Sequence, residues 1–327
     1  MGGCCSKGVE FDANEQQVLE NVERPQGEFI HIDEAAEFEI FKETVKDLDL
    51  GNEITKRIYE DLGPFDFPPN PADEVKRILK PLEIVENEAQ YYGYWNEIMH
   101  KKDGNGVMVW LDGSRYDGCW KEDKKNGQGR LIHTDGDIYV GDWVNDKAEG
   151  VGKYIHADGA TYEGEWRNDR QHGKGVEEWK DKSRYEGEYV NGKKHGEGMF
   201  QWADLSKYKG EFSNNNIEGR GMYVWANGRS YNGQWKNNMM YGEGTFSWPD
   251  GKKYVGHYVE DKKEGEGIMK WPDGRKYEGQ WLNGKQDGLG KYTNQSGVTR
   301  LGEWKEGKRI RWIDNITKDH ESNEYYV

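Results

Sequence analysis

Residues 116–143 read YDGCWKEDKKNGQGRLIHTDGDIYVGDW, and this stretch begins and ends with the same phrase, Tyr-x-Gly-x-Trp. The phrase or a close variant begins at Tyr91, Tyr116, Tyr139, Tyr162, Tyr185, Tyr208, Tyr231, Tyr254 and Tyr277, and a weaker copy begins at Arg300. Every interval from Tyr116 to Arg300 is 23 residues. A fixed period of this length is typical of repeat architectures. We therefore predict ten repeats over residues 91–304, nine of them in strict register.

One repeat has the pattern of a β-hairpin. Tyr116, Gly118 and Trp120 alternate with their neighbours at the period of two that is typical of a strand. A polar connector over residues 121–126 follows, and a second strand is predicted over residues 127–133. Other connectors contain Asn191-Gly192 and Asn283-Gly284, pairs that suit tight hairpin turns. Each repeat is therefore predicted to be one antiparallel hairpin.

The composition favours a thin, stacked sheet. Only 34% of the 327 residues are apolar, while the chain has 44 glycines and 14 tryptophans. Few aliphatic and many aromatic residues favour a sheet held by rings over a thick aliphatic core. The predicted fold class is an all-β repeat array, an elongated single-layer antiparallel meander of about ten hairpins with a small helical N-terminal segment.

The recurring rings and glycines are predicted to share one sheet face. A Gly-x-Gly pair recurs nine times, and glycine lets a ring lie flat on a neighbouring strand. The tyrosine and the tryptophan of the phrase form the first aromatic column, which we predict to be both a structural face and a candidate partner-binding face. Its candidate residues are Tyr116, Trp120, Tyr139, Trp143, Tyr162, Trp166, Tyr231, Trp235, Tyr277 and Trp281. A second column contains Trp110, His133, His156, Trp179, Trp202, Trp225, Trp248 and Trp271.

Residues 31–90 are predicted to form a short helical head. Phe38, Phe41, Val45 and Leu48 have helical spacing, with Asp33 as the N-cap and Gly51 as the stop. Further helices are predicted over residues 52–62 and 72–80, the latter ended by Pro81. The favoured interpretation is that these helices cover the first hairpin and protect its edge. The alternative is a partner-binding element.

The first eight residues, MGGCCSKG, resemble a lipidation signal. Gly2 and Ser6 fit the acceptor pattern for N-myristoylation. Because one myristoyl chain gives only marginal membrane binding, the adjacent Cys4 and Cys5 are predicted to carry palmitate. Residues 1–30 are accordingly predicted to be an acylated flexible tether.

Charge and cysteine usage exclude several functions. Residues 1–90 contain 22 acidic and 9 basic residues, and the remainder contains 39 acidic and 37 basic. A nucleic-acid binder would show a basic footprint, and the near-neutral array gives little support for binding acidic phospholipids. Three cysteines form neither a disulfide framework nor a zinc motif. We expect no catalytic residues, metal or cofactor, and a protein that is neither an enzyme nor secreted.

The phrase, the Gly-x-Gly pair, the turn and the 23-residue period together resemble the MORN (membrane occupation and recognition nexus) repeat family over residues 91–304. The resemblance implies single-layer hairpins and noncatalytic roles as protein scaffolds, membrane-to-cytoskeleton linkers or radial-spoke components. Lys182 and Leu205 depart from the usual turn glycine, so wider turns are expected there. Residues 305–327 are expected to form a C-terminal cap or tail, with Ile310, Trp312, Ile313 and Ile316 over the final strand.

Two functional hypotheses follow. In the first, a nonenzymatic scaffold is anchored by acyl chains at the cytoplasmic face of a membrane and binds a protein partner, either a peptide or a helix. In the second, the array is a structural component of a ciliary axoneme or the cortical cytoskeleton, without functional acylation. Labelling with a myristate analogue distinguishes the two.

Overall fold

The computed structural model describes residues 34–46, 48 and 52–313. The helices are α1 (Glu34–Lys46) and α2 (Glu53–Leu62), and a 3-10 turn spans Glu86–Glu88. The strands are β1 (Arg77–Ile84), β2 (Gln90–Asn96), β3 (Lys102–Val109), β4 (Arg115–Lys121), β5 (Lys124–Ile132), β6 (Ile138–Val144), β7 (Lys147–Ile155), β8 (Thr161–Arg167), β9 (Arg170–Glu178), β10 (Arg184–Val190), β11 (Lys193–Gln201), β12 (Lys207–Ser213), β13 (Asn216–Val224), β14 (Ser230–Lys236), β15 (Met239–Ser247), β16 (Lys253–Val259), β17 (Lys262–Lys270), β18 (Lys276–Leu282), β19 (Lys285–Thr293), β20 (Thr299–Lys305) and β21 (Lys308–Trp312).

These strands belong to one open antiparallel sheet of 21 strands that follow one another as a meander. The predicted all-β repeat array of hairpins is therefore confirmed. The chain divides into two compact units, residues 1–173 and residues 174–327, which are described separately below. In the part of the chain that the structure describes, no helix has the length and apolarity needed to span a bilayer.

The hairpin connectors are shorter than the sequence pattern predicted. The polar run 121–126 was expected to be a loop, but β4 extends to Lys121 and β5 begins at Lys124. Only Glu122 and Asp123 form the turn, with φ of 49° and 70°. Positive φ at both central residues gives the tight two-residue turn that matches strand twist. Asn and Asp tolerate this conformation, and they recur at these positions along the chain.

Consecutive hairpin turns are also joined to each other. The Asp146 N–H donates to the Lys125 carbonyl at 3.0 Å, and Asp146 Oδ1 accepts from the Lys125 N–H at 2.8 Å. In the second unit, Asp261 makes the same pair of bonds with Met240, at 3.1 and 2.8 Å. The turn side chain therefore satisfies a backbone donor of the preceding hairpin, which explains why Asp or Asn fills this position so often.

The wider turns expected at Lys182 and Leu205 are not found. The Leu205 N–H donates to the Trp202 carbonyl at 2.9 Å, and Gly228 makes the corresponding bond to Trp225 at 2.9 Å. Leu205 has φ of 69°, close to the 79° of Gly228. The hydrogen bonds of the repeat thus hold a leucine in the left-handed region that normally favours glycine.

Replacing Leu205 with glycine is expected to stabilise the second unit by about 0.5–1 kcal/mol. A left-handed conformation costs an L-residue roughly 1–2 kcal/mol, and the greater freedom of glycine in the unfolded chain offsets part of that gain. Chemical denaturation of the two proteins would measure the difference. The control is Leu205→Ala, which removes the exposed side chain and keeps the strained φ. An equal gain in the alanine variant would contradict the backbone explanation.

The prediction of a third helix over residues 72–80 is wrong. Arg77–Ile84 forms β1, which pairs with β2 and supplies the first strand of the sheet. The unpaired edge of β2 offers a full row of backbone hydrogen bonds, and these outweigh a weak helical pattern. Pro81 is tolerated because it lies on an edge strand, where the register shifts between Lys80 and Glu83.

The two remaining helices confirm the predicted elements, but they pack on a face of the sheet and not over the edge of the first hairpin. Asn52 caps α2 by accepting from the N–H groups of Ile54 and Thr55, at 2.8 and 3.3 Å. The helices and the adjoining segment place side chains in one apolar cluster on a sheet face: Phe41, Val45, Tyr59, Phe67, Tyr92, Tyr94, Val107, Val109, Ile132 and Ile138. The edge of β2 is covered by β1 instead.

The chain ends belong partly to the sheet and lie partly outside the described residues. Residues 308–312, which the sequence assigned to the tail, pair with β20 and complete a tenth hairpin. The predicted tether over residues 1–30, Gly2, Cys4, Cys5, Asp33, Gly51 and Ile316 lie outside the described residues.

Candidate functional site: the ring face

The recurring Tyr-x-Gly-x-Trp residues lie on one side of the sheet, called the ring face here. In β4 this face carries Tyr116, Gly118 and Trp120, and directly opposite residues in β5 are Leu131 and Lys125. Directly opposite residues of an antiparallel pair point to the same side. The other side carries Asp117 and Arg130, and it is the side on which the helices pack.

The ten candidate Tyr and Trp rings of the repeat phrase, called the first-column rings, are buried, and their polar atoms make hydrogen bonds. Exposed fractions range from 0 to 8% for all ten candidates, Tyr116, Trp120, Tyr139, Trp143, Tyr162, Trp166, Tyr231, Trp235, Tyr277 and Trp281. The Tyr231 hydroxyl donates to the Gln234 carbonyl at 3.0 Å, and Trp235 Nε1 donates to the Gly221 carbonyl at 3.1 Å. These rings present little surface, and their polar atoms hold the backbone of their own hairpins.

Glycine is required beneath each tyrosine ring because the ring lies flat on the sheet. Gly118 and Gly129 are directly opposite each other, and a Cβ on Gly129 would lie 2.5 Å from Cζ of Tyr116. No carbon can occupy that position without displacing the ring. The ring of Tyr116 then meets Trp120 and Trp143 edge to face, with centroids 5.1 and 5.5 Å apart.

The first unit has a pocket of about 230 Å³ on its ring face. Its walls include Leu131, His133, Tyr154 and Trp166, and Lys125, Asp146 and Asp169 add charge. Burial lowers the pKa of His133 below its usual value. Asp146 Oδ1 and Asp169 Oδ1 already accept backbone N–H groups. The pocket is therefore mainly apolar, and it suits one apolar or aromatic side chain.

The second unit has a continuous ribbon of rings on its ring face, and all of them except the buried Phe246 are half-buried. Neighbouring ring centroids are 4.4–5.3 Å apart. This ribbon consists of Trp179, Phe200, Trp202, Tyr223, Trp225, Phe246 and Trp248. Its tryptophans belong to the second aromatic column found in the sequence. Unlike the first-column rings, these tryptophans stay partly accessible.

Cations line the ribbon and the turn beside it. Lys252 Nζ lies 4.4 Å from the Trp248 ring centroid, and Arg229 Cζ lies 5.6 Å from that of Trp225. Arg275 Cζ lies 5.5 Å from the Trp271 centroid. Cations over aromatic faces favour recognition of a segment that combines apolar and acidic side chains.

Two polar features of the ring face were missed by sequence reasoning. Tyr189 and Tyr258 replace the final tryptophan of the phrase, and Glu177 replaces the apolar residue opposite the first tyrosine in other repeats. The substitutions are visible in the sequence, but their meaning depends on which residues the register brings together.

Cys119 is the free cysteine of the described residues. Burial raises the pKa of the Cys119 thiol to about 11, so the thiol stays protonated at neutral pH. Within residues 34–46, 48 and 52–313, no group of three or more His, Cys, Asp or Glu side chains is placed to hold a metal ion.

A sequence profile described as the MORN repeat matches nine consecutive segments, at residues 91–115, 116–138, 139–161, 162–184, 185–207, 208–228, 231–253, 254–274 and 277–299. The tenth hairpin begins at residue 299, where the last match ends. Comparison with curated proteins gives no match.

Solved structures that match this chain include the TCP10 domain of Danio rerio CPAP in complex with a peptide of Danio rerio STIL. It is 12% identical, with a TM-score of 0.36, covering 72% of this chain and 98% of that one. Another is the Drosophila melanogaster SAS-4 TCP domain in complex with a proline-rich motif of Ana2. It is 14% identical, with a TM-score of 0.23, covering 64% of this chain and 93% of that one. At these scores the likeness carries no functional argument.

Proposed function

This chain belongs to the MORN repeat family, and from that premise we propose that it is a nonenzymatic scaffold whose ring face binds a protein segment. The observation that carries the proposal is the ribbon in the second unit, whose rings other than Phe246 are half-buried. Partly exposed, contiguous rings of this kind are typical of interaction surfaces.

The chemistry of the ribbon indicates the kind of segment it binds. Flat rings give apolar contact area, while Arg229 and Lys252 add positive charge beside them. A segment with apolar residues and interspersed Asp or Glu matches both properties. A basic segment would place like charges together, which costs binding energy.

Site-specific photocrosslinking tests this assignment. Tyr223 and Met222 are neighbours in β13, and they lie on opposite sheet faces because their cross-strand partners are Tyr231 and Asn232. A benzophenone amino acid at position 223 is expected to trap a protein partner in cells, and the same probe at position 222 is the matched control. Equal adducts at both positions, or an adduct only at 222, would contradict binding through the ring face.

The second part of the proposal concerns the membrane. Gly2 with Ser6 fits the myristoylation pattern, and Cys4 with Cys5 supplies the second acyl signal that stable anchoring needs. The acylated N-terminus would then hold the scaffold at the cytoplasmic face of a membrane while the ring face binds its partner.

Metabolic labelling tests the anchor. Gly2→Ala is expected to abolish labelling by an alkyne myristate and to release the protein from membranes, whereas Gly3→Ala preserves the motif and serves as the control. Joint Cys4→Ser and Cys5→Ser replacement should keep the myristate and lose stable membrane binding, because one chain binds with an association constant of only about 10⁴ M⁻¹. An unlabelled wild-type protein that pellets with axonemes would support the cytoskeletal alternative instead.

A further inference from the structure

Two copies of the repeat phrase end in tyrosine where the others have tryptophan or phenylalanine. In five other copies the tryptophan indole donates to a glycine carbonyl fourteen residues earlier, as Trp281 does to Gly267 at 3.1 Å. At Tyr189 and Tyr258 the ring instead carries a hydroxyl, and both tyrosines are 2% exposed. A buried hydroxyl requires a hydrogen-bond partner of its own.

In the first of these copies, a carboxylate completes the arrangement. The Tyr189 hydroxyl donates to Glu177 Oε2 at 2.9 Å, and Lys194 Nζ lies 2.6 Å from the same oxygen. Lys194 is directly opposite Tyr189 in the hairpin. The Lys194 ammonium also lies over the Trp179 and Tyr185 rings, 4.8 and 5.0 Å from their centroids. One carboxylate oxygen thus satisfies both donors in a setting of rings.

Three repeats later a tyrosine and a lysine are again opposite each other, but no acidic residue corresponds to Glu177. Tyr258 and Lys263 are directly opposite each other in the β16–β17 hairpin, as Tyr189 and Lys194 are in theirs. The residue at the position of Glu177 is Phe246. The Tyr258 hydroxyl is buried and has no hydrogen-bond partner among the described residues.

Lys263 is also without an acidic partner. No carboxylate of residues 34–46, 48 and 52–313 is ion-paired with its ammonium, which lies 5.1–5.5 Å from the ring centroids of Trp248, Tyr254 and Trp281. Burial lowers the pKa of Lys263, and the nearby Lys252 ammonium lowers it further. A half-buried cation without a counterion favours binding of an anion.

We propose that Tyr258 and Lys263 form a binding site for one side-chain carboxylate, an Asp or Glu of the protein segment bound on the ring face. The inference rests on the proposed function and specifies the chemistry of one contact within it. The carboxylate has the role that Glu177 has beside Tyr189 and Lys194, but it comes from the bound segment, because the buried Phe246 fills the position of Glu177 in this repeat. It binds the ammonium first, and the phenolic hydroxyl is the second donor.

The rings around Lys263 restrict which residues can stand next to the bound Asp or Glu in the partner segment. Phe246 and Trp248 have ring centroids 4.4 Å apart beside this position, and both belong to the ribbon. Apolar residues next to the acid would contact these rings while the carboxylate binds Lys263. The site therefore selects an acidic residue with an apolar neighbour over an isolated acidic run.

The charge chemistry is testable with acetate as the probe. In protein carrying ¹³Cε-labelled lysine, the Lys263 signal is expected to shift on titration with sodium acetate, with sodium chloride at equal ionic strength as the reference. Lys194, already paired with Glu177, is the internal control and should not respond. Equal responses to acetate and chloride at Lys263, or equal responses of both lysines, would overturn the site.

A matched pair of variants tests the hydroxyl in the free protein. Tyr189→Phe should lower the midpoint of thermal unfolding, since it removes a formed hydrogen bond, whereas Tyr258→Phe should leave it unchanged or raise it. Both substitutions keep the ring. If Tyr258→Phe lowers the unfolding midpoint as much as Tyr189→Phe does, the Tyr258 hydroxyl has a partner within the chain. That result would overturn its assignment as a donor to the bound carboxylate.

Photocrosslinking from position 223 distinguishes failure of the carboxylate site from failure of the proposed ring-face function. Lys263→Met is expected to reduce partner capture about tenfold to a hundredfold, and Lys291→Met, on the opposite face, should not. Undiminished capture by Lys263→Met would reject the carboxylate site while the ring-face function stands. If the wild-type protein forms no protein adduct, the proposed function itself is rejected. A cross-link within the chain would assign the carboxylate to this protein and would overturn the proposal of a separate partner.

Discussion

Replacing Asp117 with alanine is expected to lower the free energy of unfolding of the first unit by about 3–5 kcal/mol. Asp117 is fully buried and lies between two guanidinium groups. Arg115 Nε lies 2.8 and 2.9 Å from the two carboxylate oxygens, and Arg130 Nη2 lies 3.3 Å from Oδ2. Removing the carboxylate leaves two buried cations without a counterion, which is the costly way to break a buried ion pair.

The effect should extend to the helices, because the same two arginines hold them to the sheet. The Tyr59 ring of α2 lies 3.9 Å from Arg115 Cζ, and Arg130 Nη1 donates to the Gly63 carbonyl at 2.8 Å. In the Asp117→Ala protein we therefore expect hydrogen exchange to accelerate in α1 and α2 as well as in β4 and β5.

The repeat supplies a matched control for this variant. Glu163 occupies the position of Asp117 two repeats later, and its only ion pair in the described part of the chain is with the exposed Lys153, at 3.3 Å. Because exposed pairs contribute at most about 1 kcal/mol, Glu163→Ala should change stability little. Similar losses in both variants would show that burial of the charge is not the cause.

Replacing Tyr231 with alanine is expected to lower the free energy of unfolding of the second unit by about 3–5 kcal/mol. That is the usual cost of removing a large buried ring. The ring is fully buried, lies flat over Gly233 and Gly244, and meets Trp235 and Tyr258 edge to face at 5.1 and 5.2 Å. Its hydroxyl bond to the Gln234 carbonyl is lost at the same time.

A second-column ring provides the comparison. Trp225 is half-buried, with the Tyr223 and Phe246 centroids at 4.6 and 5.2 Å. Trp225→Ala should cost only about 1–2 kcal/mol, less than full burial of such a ring, and should abolish photocrosslinking from position 223. Repeat arrays can unfold in parts, so hydrogen exchange in β13–β15 is the measurement. Equal destabilisation by the two variants would contradict the division between structural and binding rings.

The sequence predicted the elements whose signal repeats. The 23-residue period, the alternation around Tyr116 and the turn pairs are local patterns, and each recurs often enough to be read without a structure. The helix over residues 52–62 was likewise predicted from the apolar face formed by Ile54, Ile58 and Leu62. The helix predicted over residues 72–80 failed because β1 forms through pairing with β2, a contact that no local pattern encodes.

For the candidate site, the two aromatic columns were found in the sequence but their different exposure was not. Tyr231 and Trp225 are both aromatic residues of the periodic pattern. Only the folded sheet shows that one lies flat over glycines and the other remains accessible. Exposure depends on what lies across the neighbouring strands, so composition cannot assign it.

By itself the sequence determined the repeat unit, the antiparallel meander and the faces on which its residues alternate, since strand periodicity and turn chemistry act over a few residues. The tertiary structure alone decided that Arg115, Asp117 and Arg130 hold the helices to the sheet. It alone decided that Tyr258 and Lys263 meet without the acid that Glu177 supplies elsewhere. Both arrangements depend on cross-strand register and burial, which set how much an unpaired charge or hydroxyl costs.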